Sequence, residues 1–282
     1  IDTLFSELKT EIKLSNPISS DLDVLRSSLY SNLMIGAKKN IHRNFEDLML
    51  FEVGPVFKGS KPGEQLTMIN AIKTGKYSRK NWIEKERSFD VFDIKNDALR
   101  TLNEIGLNNL KIVVSNRTKK WYHPGRSGLL SLGSTNGPEL AYFGEIHPSI
   151  IKKLDLRTDN VLGFEVFLDN IPESRKKIRE VKPQFIVSDY QKVVRDFAFV
   201  IDEKYKSSEI VNLVQKVDKE LIKNVKIFDV YQGGNIDSGK KSIAFSVTLE
   251  PKDKTLGEND IDQMSKKIIS TVQESTGATL RS

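Results

Sequence analysis

Apolar and polar residues recur along the chain with two different spacings, and these spacings predict its elements. In the first 170 residues, short runs rich in β-branched and aromatic residues predict strands. These runs are Leu48–Phe57, 66–74, 110–115, 128–133, 140–146 and 161–168. Gly54 and Pro55 lie inside the first run, where they predict a bend or a bulge.

Helical spacing appears at two places between these strands. After Asp21, a possible N-cap, leucines recur in a way that predicts a helix over 21–38, and a second helix is predicted over 90–105. Many strands with few intervening helices indicate an α+β fold, a mostly antiparallel sheet with helices packed against it.

The last hundred residues give a clearer order of elements. We predict a strand over 193–201, a helix over Ser207–Val217, strands over 225–231 and Lys240–Leu249, and a short strand over 278–281. An amphipathic helix before Gly277 contains Ile261, Met264, Ile268 and Val272. The order βαββαβ is that of the ferredoxin-like fold.

A charged, proline-bounded stretch from Pro172 to Pro183 separates the two regions and predicts a linker. The sequence therefore predicts a domain over 1–175, a linker over 176–187 and a second domain over 188–282.

Side-chain parity predicts which residues of the second domain face its helices. The apolar set Ile243, Phe245, Val247 and Leu249 faces inward, which turns Ser242 and Ala244 outward, and Ala198 is outward by the same rule. In the middle strand Phe228 and Val230 are the predicted core pair, so Asp229 and Tyr231 face outward. Val225 and Ile227 would also suit a core, and this alternative stays open.

Two interpretations of Tyr231 follow from an outward position. Its ring is a platform on which a nucleic-acid base can stack, with Lys240 and Lys241 available for phosphates. In the other interpretation, the ring only covers the sheet edge with its hydroxyl in water. The pattern alone slightly favours this second interpretation.

Composition narrows the function classes. The 282-residue chain has no cysteine, which excludes disulfides, thiolate metal sites and cysteine nucleophiles and permits a reducing compartment. Its net charge of +6 suits an acidic partner, and no apolar run approaches the roughly 20 residues of a membrane span.

His42, His123 and His147 fit no compact ligand motif, so we expect structural turns and no metal. The chain begins at Ile1 without signal-peptide features, so we expect a piece of a longer protein.

The residues also carry a family resemblance. RDFAFVID (195–202), KIFDVYQGG (226–234), GKKSIAFSVTL (239–249), KTLGENDI (254–261) and GATLR (277–281) resemble the ferredoxin-fold anticodon-binding domain of the phenylalanyl-tRNA synthetase beta subunit. LSNPISSDLDVLRSSLYSNLM (14–34), LFEVGPVF (50–57), WYHPGRSG (121–128), FGEIHPSI (143–150) and FEVFLDNI (164–171) resemble its class II synthetase-like module.

The resemblance implies a cytoplasmic (αβ)2 enzyme that attaches phenylalanine to tRNA(Phe) with ATP and magnesium, and whose alpha subunit holds the active site. A class II active site needs arginines aimed at ATP phosphates. Neither KGSKPGEQL (58–66) nor VLGFEVFLDNI (161–171) supplies one. We therefore expect this chain to be a non-catalytic scaffold without a cofactor of its own.

The resemblance also assigns contact residues. Ala198, Tyr231 and Ser242 fall on anticodon contacts, with Tyr231 as the stacking surface, and Asp229 and Arg195 are weaker candidates. A subunit interface is expected around Asn16, Pro17, Arg26, Trp121 and Arg126, although packing is favoured for Trp121 and Arg126. Two other functions stay open, a free-standing RNA-binding or assembly protein with an RRM-like sheet and a self-sufficient class II ligase.

Overall fold

A six-stranded antiparallel sheet forms the centre of the first of two units, residues 1–178 and 179–282, into which the chain divides. The structure, a computed structural model, describes residues 1–8, 10–19, 23–107, 111–172, 188–234 and 236–281. The predicted linker at 176–187 lies outside the described residues, and the domain limits stay a prediction.

The first unit has ten strands and three α-helices among its described residues. The strands are β1 (Ile12–Lys13), β2 (Val24–Leu25), β3 (Leu48–Phe57), β4 (Gln65–Thr74), β5 (Lys76–Ser78), β6 (Arg87–Ser88), β7 (Ile112–Ser115), β8 (Tyr122–Leu132), β9 (Glu139–Ile146) and β10 (Leu162–Phe167). The helices are α1 (Tyr30–Ile41), α2 (Val91–Leu102) and α3 (Pro148–Lys153). The large sheet has the order β3-β4-β10-β9-β8-β7, while β1 pairs with β2 and β5 with β6.

Helix α1 begins later than the leucine spacing predicts. The predicted cap at Asp21 lies outside the described residues, and the prediction is wrong for 23–29, where β2 precedes the first helical residue, Tyr30. The backbone amide of Ser27 donates to the Asp2 carboxylate at 3.1 Å, which commits this segment to a contact outside the helix. Tertiary contacts thus override the local spacing.

Helix α2 confirms the predicted helix with a shorter end. The Asp90 carboxylate caps the helix by accepting hydrogen bonds from the backbone amides of Phe92 and Asp93. In turn, the Asp93 carboxylate accepts a hydrogen bond from the backbone amide of Asp90. The helix ends at Leu102, and Gly106 in the following turn has φ 105°, a value that favours glycine.

Strand β3 passes through Gly54 and Pro55 without the predicted bulge. It pairs with β4 over all ten residues in one register, with Gly54 opposite Met68. The proline is tolerated because β3 is an edge strand of the sheet. The glycine leaves room for Arg26, since a Cβ at position 54 would lie 2.5 Å from the guanidinium Nη2.

The first unit buries a carboxyl group on the sheet face that α1 covers. Glu165 of β10 lies between Asn70 of β4 and Tyr142 of β9 in the ladder and is 3% exposed. Its Oε1 accepts from Trp121 Nε1 at 3.1 Å and from the Tyr122 hydroxyl at 3.3 Å. Burial outweighs these bonds and raises the pKa of Glu165 to about 7.

The second unit has the predicted ferredoxin-like order. Its elements are β11 (Val193–Asp202), α4 (Ser207–Val217), β12 (Ile222–Tyr231), β13 (Lys240–Leu249), α5 (Glu258–Thr276) and β14 (Thr279–Leu280). The sheet order is β12-β13-β11-β14. Gly277 ends α5 with φ 67°, as predicted. Apolar residues of α4 and α5, such as Val214 and Val272, form the core against one face of this sheet.

The buried carboxyl predicts a pH-dependent stability. The folded chain keeps a proton on Glu165 up to pH of about 7, whereas the unfolded chain releases it near the ordinary pKa of 4.5. The contribution of Glu165 to the free energy of unfolding therefore falls by about 3 kcal/mol as pH rises from 4.5 to above 7. Glu165→Gln cannot titrate, so its stability relative to the wild type should be greater at pH 8 than at pH 5.

Urea unfolding at pH 5 and pH 8, followed by tryptophan fluorescence, measures this difference. Glu139→Gln is the matched control, because the Glu139 carboxylate is exposed enough to pair with Arg117 at the surface. If Glu165→Gln differed from the wild type in stability by the same amount at both pH values, the raised pKa of Glu165 would be contradicted.

Candidate nucleic-acid interface

The face of the second sheet that α4 and α5 do not cover, called here the open face, carries rows of paired residues. Residues directly opposite each other in an antiparallel ladder share a face. The rows are Tyr231, Ser242 and Val200; Asp229, Ala244 and Ala198; Lys226, Ser246 and Asp196; and Asn224, Thr248 and Val194. Successive rows are about 7 Å apart, because two strand residues separate them.

Four predicted contact residues meet on this face. Tyr231 pairs with Ser242, and in the next row Asp229 and Ala198 flank Ala244. Ser242 is outward as predicted from the alternation of β13, and Ala198 as predicted from that of β11. Small side chains at the centre leave the tyrosine ring standing above its neighbours.

The predicted core pair of β12 is wrong, because Phe228 is 55% exposed and Val230 is 49% exposed. Val225 and Ile227 pair with Val247 and Phe245 on the helix side, as in the alternative that the sequence left open. The register shifts between Ile227 and Asp229, so Phe228 is the extra residue of a β-bulge. The bulge reverses the parity, and Tyr231 therefore faces outward although the premise for that prediction was wrong.

The absence of a side chain at Gly233 leaves the space that the Tyr231 ring occupies. A Cβ at Gly233 would lie 2.2 Å from the Tyr231 hydroxyl oxygen, so the ring lies across this glycine. A Cβ at Gly234 would meet nothing within 4 Å. Tyr231 is 41% exposed in this position, which leaves part of its side chain accessible.

Arg281 is a residue of the open face that the sequence analysis did not single out. Its backbone amide donates to the Ala198 carbonyl at 2.8 Å, which extends the pairing of β14 with β11. Its Nη1 lies 3.5 Å from Ser242 Oγ. The signal was present in the last predicted strand, where an inward Ala278 places Arg281 outward.

Three predicted contact residues lie away from the rows. Arg195 pairs with Val247 and Lys241 with Ile201, both on the helix-side parity. Lys241 Nζ donates to the Glu203 carbonyl at 3.1 Å. Lys240 Nζ donates to the Asp237 carboxylate at 2.9 Å, and this bond raises the pKa of Lys240. Their roles stay predictions.

The predicted interface residues of the first unit have different exposures. Trp121 is buried and donates to Glu165, whereas Arg126 forms a half-exposed pair with Glu145. Arg26 donates from Nε to the Pro55 carbonyl at 2.9 Å and pairs with Glu52. Asn16 and Pro17 are exposed between β1 and β2.

The described ranges of the chain contain neither a metal-binding cluster nor a membrane-spanning helix. No group of three or more His, Cys, Asp or Glu residues in these ranges is arranged to hold a metal ion. No helix in the described part of the chain has the length and apolar character needed to cross a membrane.

Comparisons with known proteins match both units. A family profile described as "Phenylalanyl tRNA synthetase beta chain CLM domain" matches residues 2–168, and one described as "Ferredoxin-fold anticodon binding domain" matches 188–281. Proteins named "Phenylalanine--tRNA ligase beta subunit" are 42% identical over 96% of the chain in Paramagnetospirillum magneticum and 41% identical over 99% in Bradyrhizobium diazoefficiens. The chain spans about a third of these relatives, 34% and 35% of their lengths.

A solved structure of a pyrrolysyl tRNA synthetase from Desulfitobacterium hafniense is 16% identical and covers 55% of this chain and 50% of its own. Its TM-score of 0.39 is too low for a comparison of folds.

The two glycines after β12 give a test of the tyrosine's position. Gly233→Ala must displace the Tyr231 ring, because the new methyl would overlap it, while Gly234→Ala has open space. We expect the aromatic NMR resonances of Tyr231 to shift in the first variant and to stay in place in the second. Equal shifts in the two variants would contradict the contact between the ring and Gly233.

Proposed function

Because the chain belongs to the phenylalanyl-tRNA synthetase beta-chain family, we propose that its second unit reads the anticodon of tRNA(Phe) on the open face. The observation that carries this proposal is the pairing of Tyr231 with Ser242 beside Ala198 and Arg281. The first unit acts as a non-catalytic scaffold for the alpha subunit in an (αβ)2 enzyme.

The chemistry of the open face suits single-stranded bases. The Tyr231 ring supplies a stacking surface, and the exposed Asp229 carboxylate offers hydrogen-bonding groups for base edges, whereas Ser242 is only 3% exposed beside the ring. Arg281 and Lys226 add positive charge for phosphates. Ala198 and Ala244 leave room between these groups for a base to approach the sheet. Stacking would provide most of the affinity, and the polar groups would provide the selectivity.

Two observations on arginine argue against phosphate chemistry in the first unit. The charged side chains that line a cavity of this unit are Glu7, Glu139, Glu165, Lys58 and Lys119, and among the described residues none of the lining side chains is an arginine that could hold a triphosphate. Arg26, the arginine that lies across Gly54 of β3, is held by Glu52 and the Pro55 carbonyl. We therefore place ATP and magnesium in the alpha subunit of the whole enzyme.

Removal of the tyrosine ring tests anticodon reading in the full enzyme assembled with its alpha subunit. Tyr231→Ala should weaken tRNA(Phe) binding about 5- to 150-fold, the equivalent of about 1 to 3 kcal/mol for one stacked base. We expect the KM for tRNA in aminoacylation to rise accordingly, while ATP-pyrophosphate exchange with phenylalanine is unchanged.

The conservative control is Tyr231→Phe, which keeps the ring and removes the hydroxyl. It should bind tRNA nearly as tightly as the wild type if stacking is the main contact. Unchanged tRNA affinity in Tyr231→Ala would exclude the stacking role, and equal losses in both variants would assign the contact to the hydroxyl.

Coexpression with the alpha subunit tests the scaffold role and the alternative function. We expect the two chains to copurify, because the first unit would present the class II-like interface. A chain that binds RNA but elutes apart from the alpha subunit would favour a free-standing RNA-binding protein. ATP-pyrophosphate exchange by this chain alone would indicate a self-sufficient ligase, and we expect none.

A further inference from the structure

The first unit contains a cavity of about 390 Å³ on the sheet face that bears Glu165. It lies between the N-terminal segment, the ends of β3 and β4, and β10, and its size is within the range of small-molecule sites. About half of its wall is apolar, and this part includes Phe5, Val56, Leu66, Met68, Trp121 and Phe167. Such a wall suits the apolar part of a small ligand.

Glu165 is the buried polar group of this wall. Its Oε1 is held by Trp121 and Tyr122, which fixes the carboxyl group in one orientation. Among the described residues, hydrogen bonds to Glu165 reach only that oxygen, so Oε2 is left to accept from a further donor. The carboxyl group thus lines the cavity with one oxygen held by the protein and the other unbonded. This is the geometry of a ligand contact.

Glu165 is the carboxyl group of the cavity that has no cationic partner among the described residues. Lys119 Nζ lies 2.7 Å from Glu7 Oε1, and Arg117 pairs with Glu139. Lys58 also lines the cavity and has no ion pair among the described residues. Next to Glu165 in the ladder, the buried side chain of Asn70 has no hydrogen-bond partner.

We propose that this cavity binds a small molecule that carries a primary ammonium group on an apolar body. The ammonium donates to Glu165 Oε2, and the apolar body lies against Phe167, Met68 and Val56. This site is separate from the open face and does not depend on the proposed reading of an anticodon.

The protonation state of Glu165 makes binding of the ammonium depend on pH, which gives a second test of this contact. An ammonium pairs with the ionised carboxylate, and burial raises the pKa of Glu165 to about 7. The other ionisable groups around the carboxyl are Tyr30, Tyr122, Tyr142, Lys58, Lys119, Glu7 and Glu139. Burial also raises the pKa of all three tyrosines, so they stay neutral at neutral pH. Binding should therefore strengthen about tenfold from pH 6 to pH 8.

Phenethylamine is the probe for the test, and 3-phenylpropanoate is the anionic counterpart with a similar apolar body. The 282-residue chain should bind phenethylamine with a Kd of about 1 mM or tighter and should not bind the anion. Binding should move the indole N–H resonance of Trp121, which donates to Glu165, and leave that of Trp82, an exposed residue outside the cavity.

Two glutamine variants distinguish this site from non-specific attraction. Glu165→Gln should weaken phenethylamine binding about 10- to 100-fold, the loss of one charge-assisted hydrogen bond. Glu86 pairs with Lys76 outside the cavity, so the control variant Glu86→Gln should bind as the wild type does. Equal affinity in Glu165→Gln, binding of the anion at similar affinity, or no shift of the Trp121 resonance would each overturn the proposal.

Discussion

The register of β13 against its two neighbours is the constraint on which the open face depends. Its inward residues Ile243, Phe245 and Val247 are all buried under the helices. A slip by one residue would turn them out of the core and put Ser242 and Ser246 under the helices in their place. At about 1.5 to 3 kcal/mol for each large apolar side chain, the loss from these three residues is comparable to the whole stability of a domain. The position of every paired outward residue on β11 and β12 follows from this one strand.

The bulge at Phe228 lets an edge strand use both parities. Before it, β12 adds Val225 and Ile227 to the core, and after it the same strand turns Asp229 and Tyr231 to the open face. If β12 had no bulge and still buried Val225 and Ile227, Tyr231 would point toward the helices. The bulge therefore separates a segment of β12 that stabilises the fold from one that presents polar and aromatic groups, at the cost of an exposed Phe228.

Sequence patterns predict the parts of this protein where local rules and tertiary contacts agree. The second unit has its predicted order because its helices have strong apolar faces and its strands alternate regularly. Local rules fail at residues 23–29, where Asp2 binds the segment before α1, and at Phe228, because a bulge leaves no mark in the apolar alternation. The parity of the last predicted strand places Arg281 outward, and the pairing of β14 with β11, a long-range contact, brings it beside Ser242.

The same alternation of side chains has opposite consequences in the two units. In the second, outward polar residues such as Asp229 reach solvent, so they keep their ordinary hydration until a partner replaces it. In the first, helices cover both faces around the central strands, and Glu165 must be satisfied by protein donors instead. Trp121 and Tyr122 supply two bonds to one oxygen and none to the other among the described residues. A buried carboxyl group that is only half satisfied holds its proton near neutral pH, and it is the point of the first unit where a donor from outside would be accepted most readily.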